Sequence, residues 1–101
     1  MTFQKKIYIV DIDKTILEGP DYYTCKPIGD RIEKINKLFW AGHTVIYWTA
    51  RGANTGLNWY ALTREQLDKA GAKYTELRMG KPNYDVWIDD KAINSEDYFS
   101  K

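Results

Sequence analysis

The sequence has little of what would assign it to a specialised class of protein. Cys25 is its only cysteine, which excludes an intramolecular disulfide and fits a reducing compartment. The net charge at neutral pH is only +1, so charge gives no reason to expect binding to nucleic acid or to a membrane surface. We therefore expect neither of these as a partner.

Long apolar runs are also absent. The first such run follows Lys5 and Lys6 and stops at Asp11, which is too short for a signal-peptide core or a membrane span. We expect a cytoplasmic protein. With 101 residues, 44% of them hydrophobic and 29% charged, the chain suits one globular domain, residues 1–101, with a single core.

Apolar runs and turn signals alternate along the chain in a β/α pattern. Asp30 is a candidate N-cap for a first helix that stops near Gly42, and a second helix fits about 55–70. Predicted strands cover about 6–10, 44–48, 74–78 and 85–88. Strands separated by such helices predict a Rossmann-like, three-layer α/β domain, whose mostly parallel sheet is covered on both faces.

Polar residues stand at the ends of these predicted strands. Asp11 and Asp13 follow the first strand, and two neighbouring carboxylates repel each other unless a cation or a reaction needs them. Thr49 follows the second strand, Lys81 precedes the fourth, and Asp89-Asp90 follow it. Because parallel strands end at one edge, these groups can converge on one crevice, where they suit magnesium-assisted phosphoryl transfer.

Their order resembles the phosphatases of the haloacid dehalogenase superfamily over nearly the whole chain. The four motifs are Asp11-Ile12-Asp13-Lys14-Thr15, the strand ending in Thr49, the lone Lys81, and the apolar run before Asp89-Asp90. The resemblance implies a haloacid dehalogenase-like core. It also implies hydrolysis of a phosphomonoester through an aspartyl-phosphate.

The resemblance assigns a role to each motif residue. Asp11 is the expected nucleophile, and Asp13 the acid that protonates the leaving alcohol and then the base that deprotonates water. Thr15 is expected to hydrogen-bond Asp13 and shape the turn beside the substrate. Thr49 is expected to bind a phosphoryl oxygen, and Lys81 to neutralise charge between Asp11 and the phosphate.

The expected cofactor is Mg²⁺, held by a carboxylate oxygen of Asp11, the backbone carbonyl of Asp13 and an acid of the fourth motif. Asp90 is favoured as the direct ligand, with Asp89 binding through water or pairing with Lys81, although the reverse order stays open. Arg51 either contacts a substrate phosphate or carboxylate bidentately or faces water as an ordinary loop arginine.

The spacing of the motifs leaves no room for the cap domain that larger relatives carry, so the chain resembles a capless member with an open site. The segment 18–27, with Tyr22 and Tyr23, is a candidate flap, and a second copy of the chain is another way to cover the site. The stretch 80–94 looks like that of small capless proteins of surface-polysaccharide biosynthesis, which suggests a phosphorylated small molecule, such as a sugar phosphate, as substrate.

Two other functions fit parts of the pattern. A response-regulator receiver domain also combines acids, a threonine and a Lys-Pro pair, but there the lysine comes last, whereas here Asp89-Asp90 follow Lys81. A catalytically idle module that only binds a phosphorylated ligand is the other alternative. Each motif taken alone also has a structural explanation, for example a turn at Asp13 or a solvated Lys81.

Overall fold

A computed structural model describes residues 2–100. In chain order, the five strands are β1 (Ile7–Val10), β2 (Leu17–Glu18), β3 (Lys26–Pro27), β4 (Thr44–Trp48) and β5 (Glu76–Arg78). The helices are α1 (Gly29–Trp40), α2 (Tyr60–Lys69) and α3 (Ser95–Phe99). No helix within residues 2–100 is both long and apolar enough to cross a membrane.

The main sheet is three-stranded and parallel, in the order β1-β4-β5. α1 connects β1 with β4, and α2 connects β4 with β5. The prediction of an α/β fold with a parallel sheet is therefore confirmed. β2 and β3 form a separate antiparallel ribbon between Asp13 and α1.

The core lies on one face of this sheet, which differs from the three layers that the sequence predicted. Val45 and Tyr47 of β4 point into a cluster that includes Ile32 of α1 and Leu67 of α2. On the opposite face, Ile7 and Ile9 remain 69% and 56% exposed. Since the strands follow one another in one direction across the sheet, two crossovers of the same hand place both helices on the same side.

Residues 85–88 do not form the predicted fourth strand. They pair with no strand within residues 2–100, and Val86 and Ile88 are 74% and 93% exposed. A contact between the rings of Trp87 and Trp48, with centroids 6.1 Å apart, ties the segment to the uncovered face of the sheet. An apolar run has strand propensity, but it becomes a strand only where a neighbouring strand completes its hydrogen bonds.

The helix boundaries differ from prediction in two places. The second helix begins at Tyr60, because Gly56 has a φ of +72° and its N–H closes a turn on the Gly52 carbonyl. Asp30 lies inside α1, whose N-cap is Ile28. Gly42, with a φ of +100°, follows the end of α1 as predicted, since a left-handed residue there favours glycine.

Tyr47 offers a test of the core. Its hydroxyl is buried and has no hydrogen-bond partner within residues 2–100, and burial raises the pKa of the phenol above its usual range. We expect Tyr47→Phe to increase the free energy of unfolding by about 1 kcal/mol near neutral pH, because the unpaired hydroxyl is costly to bury. Urea unfolding measures this change.

The pH dependence of that gain follows from the raised pKa. The unfolded chain can ionise the phenol above about pH 10 while the folded chain resists, so wild type loses stability there and the advantage of Tyr47→Phe grows. Tyr74→Phe is the matched control, because the Tyr74 hydroxyl donates to the Asp68 carboxylate at 3.1 Å and its removal breaks a bond. A loss of stability in Tyr47→Phe equal to that in Tyr74→Phe would contradict the prediction.

Candidate active site

Asp11 stands directly after β1 and is held by two of the predicted site residues. The ammonium nitrogen of Lys81 lies 3.3 Å from its Oδ1, and the hydroxyl of Thr15 donates to its Oδ2 at 3.1 Å. The Asp11 side chain is still 38% exposed, whereas that of Lys81 is only 13% exposed. The carboxylate is thus fixed by a cation and a hydroxyl yet remains open to a ligand.

The turn after Asp11 is shaped by the carbonyl of Ile12. This carbonyl accepts hydrogen bonds from the backbone N–H groups of Thr15, Ile16 and Leu17. Lys14 adopts a φ of +66°, a left-handed conformation that non-glycine residues seldom take and that costs about 1–3 kcal/mol. Ile12 and Ile16 are fully buried, so the core anchors this turn and with it the acids on either side of Ile12.

Thr49 follows β4, and its backbone links the site to the end of β5. Its carbonyl accepts from the N–H of Lys81 at 3.0 Å, and its N–H donates to the Arg78 carbonyl at 3.0 Å. The sheet therefore brings Lys81 to Asp11 through Thr49. The Thr49 hydroxyl accepts from the N–H of Arg51 at 3.2 Å, and the residue is only 1% exposed.

Asp13 pairs with Arg51, which neither interpretation of that arginine predicted. The Arg51 guanidinium reaches both carboxylate oxygens, with Nη2 at 2.7 Å from Oδ1 and Nε at 3.0 Å from Oδ2. The Arg51 side chain is fully buried, so it neither faces water nor stands free for a substrate. The expected Thr15–Asp13 bond is also replaced, since the Thr15 hydroxyl binds Asp11 instead.

Other groups surround Arg51 on the side of α2. Its Nη1 donates to the Thr63 hydroxyl at 3.1 Å and to the Gln66 side-chain oxygen at 2.7 Å, and its guanidinium carbon lies 4.6 Å from the centre of the Tyr22 ring. Burial opposes the charge on Arg51, but its hydrogen bonds and charge attraction to Asp13 prevail and raise the pKa of the guanidinium. Arg51 therefore stays cationic inside the protein.

Asp89 and Asp90 lie on the exposed segment that follows residues 85–88. Asp89 accepts hydrogen bonds from the N–H groups of Lys91, at 2.6 Å, and Ala92, and the bond from Lys91 is the main cause that lowers the pKa of Asp89. Within residues 2–100, no three His, Cys, Asp or Glu side chains are grouped so that they could hold a metal ion. Without the fourth strand, this structure does not unite the fourth motif with Asp11.

The loop before β3 covers one side of the Asp13–Arg51 pair. The sequence predicted this loop as a candidate flap but not the residues against which it packs. Tyr22 and Tyr23 pack edge-on against Trp59, with ring centroids 5.0 and 5.1 Å apart, and Gln66 donates to the Tyr22 carbonyl. The sequence carried no signal for a site at Trp59, which precedes α2, or at Thr63 and Gln66 within it, because such positions acquire this role only through tertiary contacts.

A cavity of about 160 Å³ lies beside Asp13, between the first turn and this loop. Its walls include Leu17, Glu18, Tyr22 and Cys25. Asp13 is 33% exposed, so the ion pair with Arg51 does not seal its carboxylate from solvent. A small ligand group can therefore reach Asp13 while Asp11 remains accessible beside it.

Comparisons with known proteins identify a relative but no activity. No family model and no curated protein matches the chain. A crystal structure of a structural genomics target from Vibrio cholerae matches with a TM-score of 0.82 and 30% sequence identity, over 97% of this chain and 89% of that one. The name of that target states no function, so the match shows a shared family and an α/β fold but no activity.

Proposed function

We propose that this chain, which belongs to the same family as the Vibrio cholerae protein, is a phosphatase that hydrolyses a phosphomonoester through an aspartyl-phosphate. The observation that carries the proposal is the setting of Asp11, held by Lys81 and Thr15 yet open to solvent at the end of a parallel strand. Ligands bind at this edge of open α/β sheets. The arrangement supports a capless, haloacid dehalogenase-like core.

In the first step, a carboxylate oxygen of Asp11 attacks the phosphorus and the bond from phosphorus to the leaving oxygen breaks. Asp13 gives its proton to that oxygen, so an alcohol departs rather than an alkoxide. Lys81 neutralises charge on Asp11 and on the incoming phosphoryl group, which otherwise repel each other.

In the second step, water attacks the phosphorus of the aspartyl-phosphate and the bond to Asp11 breaks. Asp13 accepts the proton from water, which returns both acids to their starting forms. The ion pair with Arg51 stabilises the ionised form of Asp13, which is the base that this step needs. In the first step, the proton that Asp13 gives up is bound to a carboxylate lone pair that Arg51 does not use.

We further propose that Mg²⁺ assists. Mg²⁺ commonly takes one or two protein carboxylates, with waters and substrate phosphate completing its six ligands. The open carboxylate of Asp11 suits such a site, with the Asp13 carbonyl as a second ligand, and the bound ion would neutralise phosphoryl charge. An acid from Asp89 or Asp90 joins them only if the exposed segment 82–94 moves toward β1.

The metal proposal predicts a specific effect of Asp90→Asn. Phosphate release should cease with chelator and return with Mg²⁺, and Asp90→Asn should raise the Mg²⁺ concentration for half-maximal activity about tenfold or more. Asp97→Asn, at an exposed position of α3, is the control and should behave like wild type. Full activity in chelator would refute a role for the metal. If Asp89→Asn, and not Asp90→Asn, raised that Mg²⁺ concentration, Asp89 would be the direct ligand instead of Asp90.

Phosphate release from a panel of phosphoesters tests the activity itself. We favour sugar phosphates as substrates, so the panel pairs hexose and pentose phosphates with nucleotides and phosphorylated amino acids. A phosphatase releases many phosphates per protein molecule. Transfer of a single phosphate per molecule, held stably, would instead favour a receiver-like module, and no transfer at all would favour an idle binding module.

A further inference from the structure

Arg51 is a buried cation whose contacts all converge on Asp13 and its surroundings. Among residues 2–100 it is the charged residue that the fold buries, at 2% exposure. Side-chain charges are almost never buried this fully unless they are paired. Arg51 is neither a free phosphate ligand nor a surface residue in this structure, so its burial against Asp13 needs another explanation.

We propose that Arg51 is a positioning residue that sets the orientation of the Asp13 carboxylate for proton transfer, an inference that rests on the proposed phosphatase function. The guanidinium approaches the carboxylate side-on, with Nε in contact with both oxygens, at 3.3 and 3.0 Å, and Nη2 at 2.7 Å from one of them. Such a fork fixes the plane of the carboxylate, which a single donor would not.

The support behind Arg51 makes this orientation rigid. Nη1 has two acceptors on α2, Thr63 and Gln66, and Thr63 is itself fully buried. The guanidinium therefore cannot turn without breaking bonds on both sides. Misplacement of a catalytic group by about 1 Å can cost about a hundredfold in rate, so a rigid support of this kind affects the chemistry directly.

The same support extends to the loop that lines the cavity beside Asp13. The Tyr22 ring stacks on Arg51, and Gln66, which binds Arg51 through its oxygen, donates to the Tyr22 carbonyl through its nitrogen. The cavity wall at Tyr22 and the proton donor Asp13 thus both depend on the side chains of Arg51 and Gln66. Arg51 sets where a leaving group can lie relative to Asp13.

The dependence of rate on the leaving group distinguishes this role from general support of the fold. A good leaving group such as p-nitrophenolate departs without protonation, whereas the alcohol of a hexose phosphate needs a proton from Asp13. We expect Arg51→Lys to lower kcat/KM for a hexose phosphate about tenfold or more and for p-nitrophenyl phosphate by less than about threefold.

A double-mutant comparison completes the test. If Arg51 acts through Asp13, adding Arg51→Lys to Asp13→Asn should cause no further loss. Gln66→Leu removes one of the hydrogen bonds that support Arg51 without changing Asp13. It should give a weaker version of the same leaving-group effect, and it replaces Arg51→Lys in the test if that variant fails to fold. Arg64→Lys is the control, because Arg64 is an exposed arginine on α2 whose partner is Asp68, and it should match wild type.

Two results would overturn the inference. One is an equal loss with both substrates in Arg51→Lys and Gln66→Leu, which would mean general structural damage. The other is an additive loss in the double variant, which would mean that Arg51 acts separately from Asp13. Failure of the proposed function is distinguishable from both, since wild type would then release phosphate from neither substrate.

Discussion

Asp11→Asn is expected to reduce phosphate release by at least about a thousandfold, because the amide cannot form the aspartyl-phosphate. The substitution keeps the size of the side chain and its contact with Thr15. It also removes the negative charge that faces the Lys81 ammonium at 3.3 Å. The other member of this ion pair, Lys81, is a cation and cannot replace the lost nucleophile. Steady-state phosphate release, compared at equal protein concentration, measures the effect.

Asp68→Asn is the matched control for Asp11→Asn. Asp68 is also half-exposed and also faces a cation, Arg64 at 3.8 Å, but it lies on α2 away from the strand ends. Its activity should equal that of wild type within about twofold, because an exposed ion pair contributes little. Substantial phosphate release by folded Asp11→Asn would refute Asp11 as the nucleophile.

Asp13→Asn is expected to have the second-largest effect, and its size should depend on the substrate. General acid and base catalysis contributes about a hundredfold to ten thousandfold, so a hexose phosphate should lose activity in that range. With p-nitrophenyl phosphate the first step should survive, since that leaving group needs no proton. The second step still lacks its base, so the aspartyl-phosphate should accumulate.

Rapid mixing with p-nitrophenyl phosphate measures this directly. The variant should release a burst of p-nitrophenolate close to one equivalent, followed by slow turnover. Arg51 loses its carboxylate partner in Asp13→Asn, so thermal unfolding must show that the variant is folded at the assay temperature. Equal losses with both substrates and no burst would argue against Asp13 as the proton carrier.

The sequence predicted well those parts of the fold that depend on local pattern. β1 and β4 lie within or at their predicted bounds, because their β-branched and aromatic residues are flanked by turn signals. Asp11 and Lys81 were predicted to converge at the edge where parallel strands end. The structure places these side chains in contact, although the reason is that Lys81 closely follows β5 rather than that it precedes a fourth strand. Thr49 joins them through its backbone.

Features that depend on tertiary partners were not predictable in the same way. The Asp13–Arg51 pair needs Thr63 and Gln66 on α2, and no spacing in the sequence indicates which loop arginine a helix will bury. The segment 85–88 has a strand-like composition, yet an apolar run cannot specify whether a neighbouring edge will accept it. The uncovered face at Ile7 and Ile9 has the same origin, since it depends on where the crossovers pack.

The central claim, a covalent intermediate on Asp11, is tested most directly by trapping it. Protein quenched during turnover of p-nitrophenyl phosphate and reduced with borohydride converts an aspartyl-phosphate to homoserine, which peptide mass spectrometry locates. The account predicts homoserine at position 11, with a higher yield in Asp13→Asn than in wild type. Phosphate release without any such modification, or modification at another residue, would contradict it.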